Sequence, residues 1–367
     1  MSWIALTDLA RPAFNPRGIG VQPDAPGVPP TLPIDAILAK GTLVFELRHH
    51  GGESGPRRLI TFHRSQEWHR EIAIEIDSHD RLSILIRQGA ARSRAVIDLR
   101  RPEHDSRVRV SYTWDAPKRT ATLTVEYPDE RRVLQATACN PVPLPLRDVE
   151  ALMRNGSSTE IDRSVRFIAF SDEIEPVGLG TGIAGETTIE TVEGPVPIDK
   201  LRLGDEVLTA GSGYQPVRWI AQRTVPALGG FRPVRIRAPF FGLESDVVAA
   251  PDHRVRLELA EAEYMLGDDE VLIPAATLVN GRHAQRDARH RLVTYYQVLL
   301  DVHDCLLHDG LWAESLYVGT ISRHPTLARS TVLSGMPQSA IPVHRTGSPK
   351  LLSPFETRSL AATLQLA

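Results

Sequence analysis

Cysteine is scarce in this chain, with only Cys139 and Cys305 among 367 residues. Two thiols so far apart exclude a disulfide framework and a cysteine-based zinc site, and each is expected as a buried free thiol. A surplus of either charge is also missing. Lys and Arg number 42 against 45 Asp and Glu, a formal charge of -3. Such a balance produces no general field for nucleic acid or anionic lipid, so neither a nucleic-acid nor a membrane partner is implied. No stretch is long and apolar enough to span a bilayer, and the opening MSWIALTDLARPAF has no basic start followed by a long apolar run. Neither a cleaved leader nor an anchor is expected, and the location stays open between the cytoplasm and export without a cleaved signal.

What the chain does have is proline, hydrophobic alternation and enough length for two domains. Pro16, Pro23, Pro26, Pro29, Pro30 and Pro33 crowd the first part. Such density forbids a helix and predicts an extended lead-in over residues 1–40. Short apolar runs of alternating type follow: LVFEL at 43–47, RLITF at 58–62, EIAIEI at 71–76, RLSILI at 81–86, AVIDL at 95–99, RVRVSYTW at 107–114, ATLTVE at 121–126 and VRFIAF at 165–170. A period of two puts every second residue on one face, which is the signature of half-buried strands. So many antiparallel strands cover their apolar faces best as two packed sheets, and the expectation for 41–172 is a β-sandwich of jelly-roll type. Leu146, Val149, Leu152 and Met153 fall at helical spacing before Asn155-Gly156, predicting one helix at an end of the sandwich. His49, His50, His63 and His69 are spread over separate strands and loops without a paired ligand motif, so no metal site is read from them.

The run VSYTWDAPKRTATLTVE and the strands before it resemble laminin G or concanavalin-like jelly rolls. That resemblance implies a module for a protein or glycan partner and carries over no ligand residue. Pro176 and closely spaced glycines in SDEIEPVGLGTGIAGE, 171–186, mark the end of the sandwich, with a linker at 173–181.

Beyond the linker, GIAGETTIETVEGPVPIDKLRLGDEVLT at 182–209 makes a hairpin through Glu193-Gly194 and then a turn at Gly204-Asp205. Two more blocks follow, VVAAPDHRVRL at 247–257 and VTYYQVLLDVHDCLLHDGLWAESLYVG at 293–319, the latter with His303 read in a strand and Glu314-Ser315-Leu316 near the end. QPVRWI at 215–220 and VLIPAATLVNG at 271–281 fit between them. Together these blocks resemble a Hint domain, the self-processing fold of Hedgehog proteins and inteins, over residues 182–319. Thr187, Ile189, Thr191, Gly194, Val196, Ile198, Leu201, Gly204, Asp205, Val207 and Thr209 occupy its opening frame.

The resemblance implies a chemistry. A Cys, Ser or Thr at the first position attacks the preceding carbonyl, a histidine protonates the departing amine, and a Thr or Ser three residues before that histidine steadies the peptide bond. Counting back from Ile189 puts Gly182 at the nucleophile position, His253 at the histidine, and Ala250 at its hydroxyl partner. Glycine has no attacking atom and alanine no hydroxyl. Gln297 stands where some relatives have histidine, and the chain continues past Gly319 instead of ending in a splicing junction. Thr181, one residue upstream, is the substitute nucleophile, and Thr187, Asp205 and His303 complete the site positions. For Asp205 a role as turn residue competes with that of a carboxylate at the processing centre; for His303 a strand histidine competes with a site residue.

The expected protein is mostly β: an antiparallel jelly-roll sandwich, an all-β Hint fold and a tail, 320–367, with short helices starting at Pro325 and Ser353-Pro354, the first stopping at Gly335. Neither metal nor cofactor is called for. Three readings stand: a Hint domain without its nucleophile serving as a binding or structural module, an autocatalytic protein cutting near 180–182, and a carbohydrate-binding lectin-like protein.

Overall fold

A computed structural model describes residues 3–21, 32–49, 55–99, 105–178, 181–268, 270–345, 350–352 and 354–366. The chain divides into two compact units, residues 1–178 and 179–367.

In the first unit, one sheet of seven strands runs in the order Arg132–Cys139, Thr120–Tyr127, Ser106–Asp115, Lys40–His49, Val165–Ser171, Trp3–Thr7 and Ala13–Phe14. A second sheet of five runs Thr159–Ile161, Arg57–Arg64, Arg70–Ile76, Arg81–Gln88 and Ala91–Asp98. All described pairings within both sheets are antiparallel. The alternation seen in the sequence decides what lies between them. Leu43, Phe45 and Leu47 of one sheet and Ile72, Ile74, Ile76, Leu82, Ile84 and Ile86 of the other belong to a single buried core. Trp114 sits in that core with its indole N–H donating to the Leu38 carbonyl at 3.0 Å, so its one polar atom is satisfied where water is excluded.

The helix Leu146–Met153 forms as the spacing predicts and buries Leu146, Val149, Leu152 and Met153. Two features differ from the sequence expectation. The opening residues are more than a lead-in: Trp3–Thr7 is a buried strand paired with Val165–Ser171, because five consecutive apolar or small residues can add a rung to an existing sheet. Cys139 is exposed, on an edge strand whose outward face is wet. His49 is buried; His50, by contrast, lies outside the described residues, as do 22–31 of the proline-rich run.

The second unit holds two further sheets. Six strands run Trp219–Pro226, Leu292–Leu299, Ile183–Ala184, Val247–Ala249, Val234–Ile236 and Ala284–Arg286. The other sheet follows Gly194–Pro197, Thr188–Thr191, Glu206–Thr209, Cys305–His308, Leu311–Glu314, Arg254–Glu258, Glu270–Pro274 and Lys350–Leu351, with Gly213–Pro216 paired beside Glu206–Thr209. The expected hairpin is present, Thr188–Thr191 with Gly194–Pro197, and Gly194 takes the positive φ of 105° that its turn needs. The segment 271–281 is a strand only to Pro274, after which Ala275–Leu278 turns as a short 3-10 helix. In the tail, one helix spans Pro325–Arg329, ending short of Gly335, and another spans Pro354–Leu366. Leu360 of the last helix is fully buried in the same core as Val255, Val271 and Ile273, so this helix is docked on the second unit.

Candidate functional site

Ile183 and Ala184 form a two-residue strand between two longer neighbours. Ile183 pairs with Ala249 on one side and Tyr296 on the other, which holds the preceding residue, Gly182, against both. The Ala250 amide donates to the Gly182 carbonyl at 2.8 Å. Gly182 is buried with φ at 150°, and a Cβ built there would lie 2.8 Å from the Tyr296 carbonyl oxygen and 2.9 Å from the Tyr295 Cβ. Glycine fits this corner because the neighbouring backbone occupies the volume a side chain needs.

The Thr181 hydroxyl accepts a hydrogen bond from the Gln297 side-chain amide. An amide donor can hold a hydroxyl in place but has no basic atom in that contact with which to take its proton.

His253 follows a tight turn. Its amide donates to the Ala250 carbonyl at 3.0 Å, and its own carbonyl accepts from the Ala275 amide at 2.8 Å before the strand Arg254–Glu258 begins. Gly182, Ala250 and His253 are thus linked through backbone groups. His253 is buried, and so is a histidine that sequence reasoning missed, His308. Burial, reinforced by repulsion from His253, pushes the His308 imidazole down to about 3, so it is neutral at ordinary pH. The next residue, Asp309, accepts from both the Thr188 amide at 2.9 Å and the Thr188 hydroxyl at 2.7 Å, tying the His308–Leu311 turn to the opening strand. The His-Asp-Gly turn in the sequence was the available signal for this pair.

Thr187 is buried, with its amide on the Ala184 carbonyl at 3.2 Å and its carbonyl accepting from Ile198 at 2.9 Å. Asp205 closes a turn: its carboxylate accepts from the Arg202 amide at 2.7 Å, its amide donates to the Arg202 carbonyl at 3.2 Å, and its carbonyl accepts from Val217 at 2.9 Å.

His303 lies in the connection between the strands Leu292–Leu299 and Cys305–His308, outside either strand. Its Nδ1 is 3.1 Å from the Ser315 hydroxyl and its Nε2 3.9 Å from the Glu314 carboxylate. The rings of Tyr317 and His344 lie beside it, with centroids at 5.1 and 5.7 Å. His344 accepts from the Val318 amide at 3.3 Å through Nδ1 and donates from Nε2 to the Leu300 carbonyl at 3.0 Å, a pairing that assigns its neutral tautomer. Burial lowers its pKa. Cys305 is buried beside these groups, and burial together with the Glu314 charge raises its thiol to about 12, far from a reactive thiolate. Among the described residues no three His, Cys, Asp or Glu gather as a metal site.

The family model for the Hint domain matches residues 181–320. Residues 181–320 are a Hint domain. No curated protein sequence matches the chain. Among solved structures the chain is similar to the Ruminococcus gnavus IT-sialidase CBM40 bound to alpha2,6 sialyllactose, at 10% identity and a TM-score of 0.26, covering 36% of this chain and 77% of that one. It is also similar to the gp41-1 intein, at 12% identity and a TM-score of 0.24, covering 36% of this chain and 97% of that one. A third likeness, to the winged bean acidic lectin complexed with methyl-alpha-D-galactose, has 11% identity and a TM-score of 0.23, covering 36% of this chain and 69% of that one. Within the matched residues, backbone hydrogen bonds link Gly182, Ala250 and His253, and Gln297 donates to Thr181.

Proposed function

We propose that this Hint domain has lost its self-processing chemistry and serves, with the sandwich before the 173–181 linker, as a binding or structural module. One observation carries the reading: any Cβ at Gly182 would collide with the Tyr296 carbonyl at 2.8 Å. The corner is filled by backbone as well as lacking a nucleophile. Ala250 supports the same reading, since it contributes only backbone groups where the Hint chemistry uses a hydroxyl. So does Gln297, which donates to Thr181 and leaves that hydroxyl without activation from this contact. His253 is then a buried histidine retained by its turn.

Intact mass of the purified full chain, followed over days with and without a strong thiol, tests this directly. A single full-length species is expected under both conditions. Fragments divided near residue 181 would establish the rival, self-cleaving protein.

A further inference from the structure

A tryptophan on the sandwich is about half exposed, with its indole held by two side chains. Trp68 is 46% exposed, in the hairpin between the strands Arg57–Arg64 and Arg70–Ile76. Its indole N–H donates to the Gln88 side-chain oxygen at 3.2 Å, and the Arg70 guanidinium lies against the ring, 5.0 Å from its centroid. One face is thereby backed by a cation. The same loop is braced on each side: Arg64 donates to the Gln66 side chain at 3.2 and 2.8 Å, and Arg147 reaches Glu67 at 3.7 Å. Glu67 adopts a φ of 67°, a left-handed conformation that costs a non-glycine residue energy and that the bracing contacts maintain.

Beneath the ring, Arg70 is fully buried. Its charge faces the Asp148 carboxylate at 3.2 Å, yet its Nε, Nη1 and Nη2 find no hydrogen-bond acceptor among the described residues. Buried donors without acceptors are costly, and here they underlie an exposed aromatic face. Burial also raises the pKa of Asp148, opposed by Arg70, Arg64 and Arg147. The arrangement is a half-exposed apolar plate, held by Gln88 and Arg70, in a loop that also carries an amide, a carboxylate and a guanidinium group. A pyranose ring has the matching chemistry. Its C–H face covers an indole, while its hydroxyl oxygens both donate to carboxylate or amide oxygen and accept from guanidinium. Pre-positioned aromatic plates also lose little entropy on binding.

We propose that Trp68, backed by Arg70 and sharing its hairpin with Arg64, Gln66 and Glu67, is a pyranoside-binding platform. This rests on the binding-module reading but not on the state of the Hint corner, so the intact-mass test and the following test fail separately.

The experiment is titration of the full chain by calorimetry with four probes: maltopentaose, cellopentaose and a galactan tetraose as neutral pyranosides, and trigalacturonate as an acidic one. Saturable binding to at least one is expected below about 10 mM, with Trp68→Ala weakening it about tenfold or more, a loss of ~1.4 kcal/mol. Trp68→Tyr keeps an aromatic plate and retains most of the affinity, which separates lost stacking from a collapsed loop. Preference between the neutral and acidic arms tells whether hydroxyl or carboxylate oxygens are taken by the polar groups of the loop. No saturable heat with any of the four overturns the proposal, as does Trp68→Ala binding as tightly as the unaltered chain or Trp68→Tyr binding as weakly as Trp68→Ala.

Discussion

The amide of Ala250 donates to the carbonyl of Gly182 at 2.8 Å, a backbone bond between the two positions that the proposed reading assigns to the nucleophile and its hydroxyl partner. The contact is made by a glycine and an alanine, so it brings no reactive side chain to this corner. A side chain added at residue 182 meets neighbours that must shift to admit it.

Gly182→Cys supplies the thiol but forces a Cβ into the Tyr296 carbonyl and the Tyr295 Cβ. Overpacking of this kind costs about 1–3 kcal/mol. The substituted chain is expected to unfold at lower urea than the original and to stay uncleaved by intact mass. Efficient cleavage by this single variant would show that the corner opens readily.

Acid should weaken the Hint unit through His308. Its folded pKa, about 3, lies below the ordinary 6.5, so the unfolded chain binds the proton more readily. Stability from this group is complete above pH 6.5 and is lost as pH falls toward 3. His344, also lowered by burial, acts in the same direction. Melting temperature should therefore fall between pH 6.5 and 5, before most carboxylates titrate, and His308→Gln should reduce the slope there. An unchanged slope would remove His308 as its source.

The turn after His308 is a second point of fragility. Asp309→Ala deletes the acceptor of two Thr188 hydrogen bonds and places alanine at a φ of 47°, which should cost about 1–3 kcal/mol by urea unfolding. Gly310→Ala should be worse, because its Cβ would sit 2.2 Å from the Gly242 carbonyl oxygen at a φ of 91°. Asp309→Asn, which tolerates the backbone and keeps an acceptor, should lose least.

Much of the sandwich could be read from period-two runs, since Ile72, Ile74 and Ile76 need no partner to declare which way they face. The strand Trp3–Thr7 was less legible. A continuous buried run has no alternation, and proline soon after it suggests a loop. In the second unit the order of the sequence blocks singled out Gly182, Ala250 and His253 as candidates, whereas His308 beside His253 and Ser315 beside His303 are separated along the chain or divided by a turn, and only folding juxtaposes them.

By itself, then, the amino-acid sequence determined the strand-rich character of the chain and the identity of residue 182, because alternation is local and a missing side chain is missing in any conformation. The tertiary structure decided whether that position has room for one. Steric space belongs to the neighbours, and Tyr295 and Tyr296 reach Gly182 from more than a hundred residues away in a sheet whose register no single segment encodes.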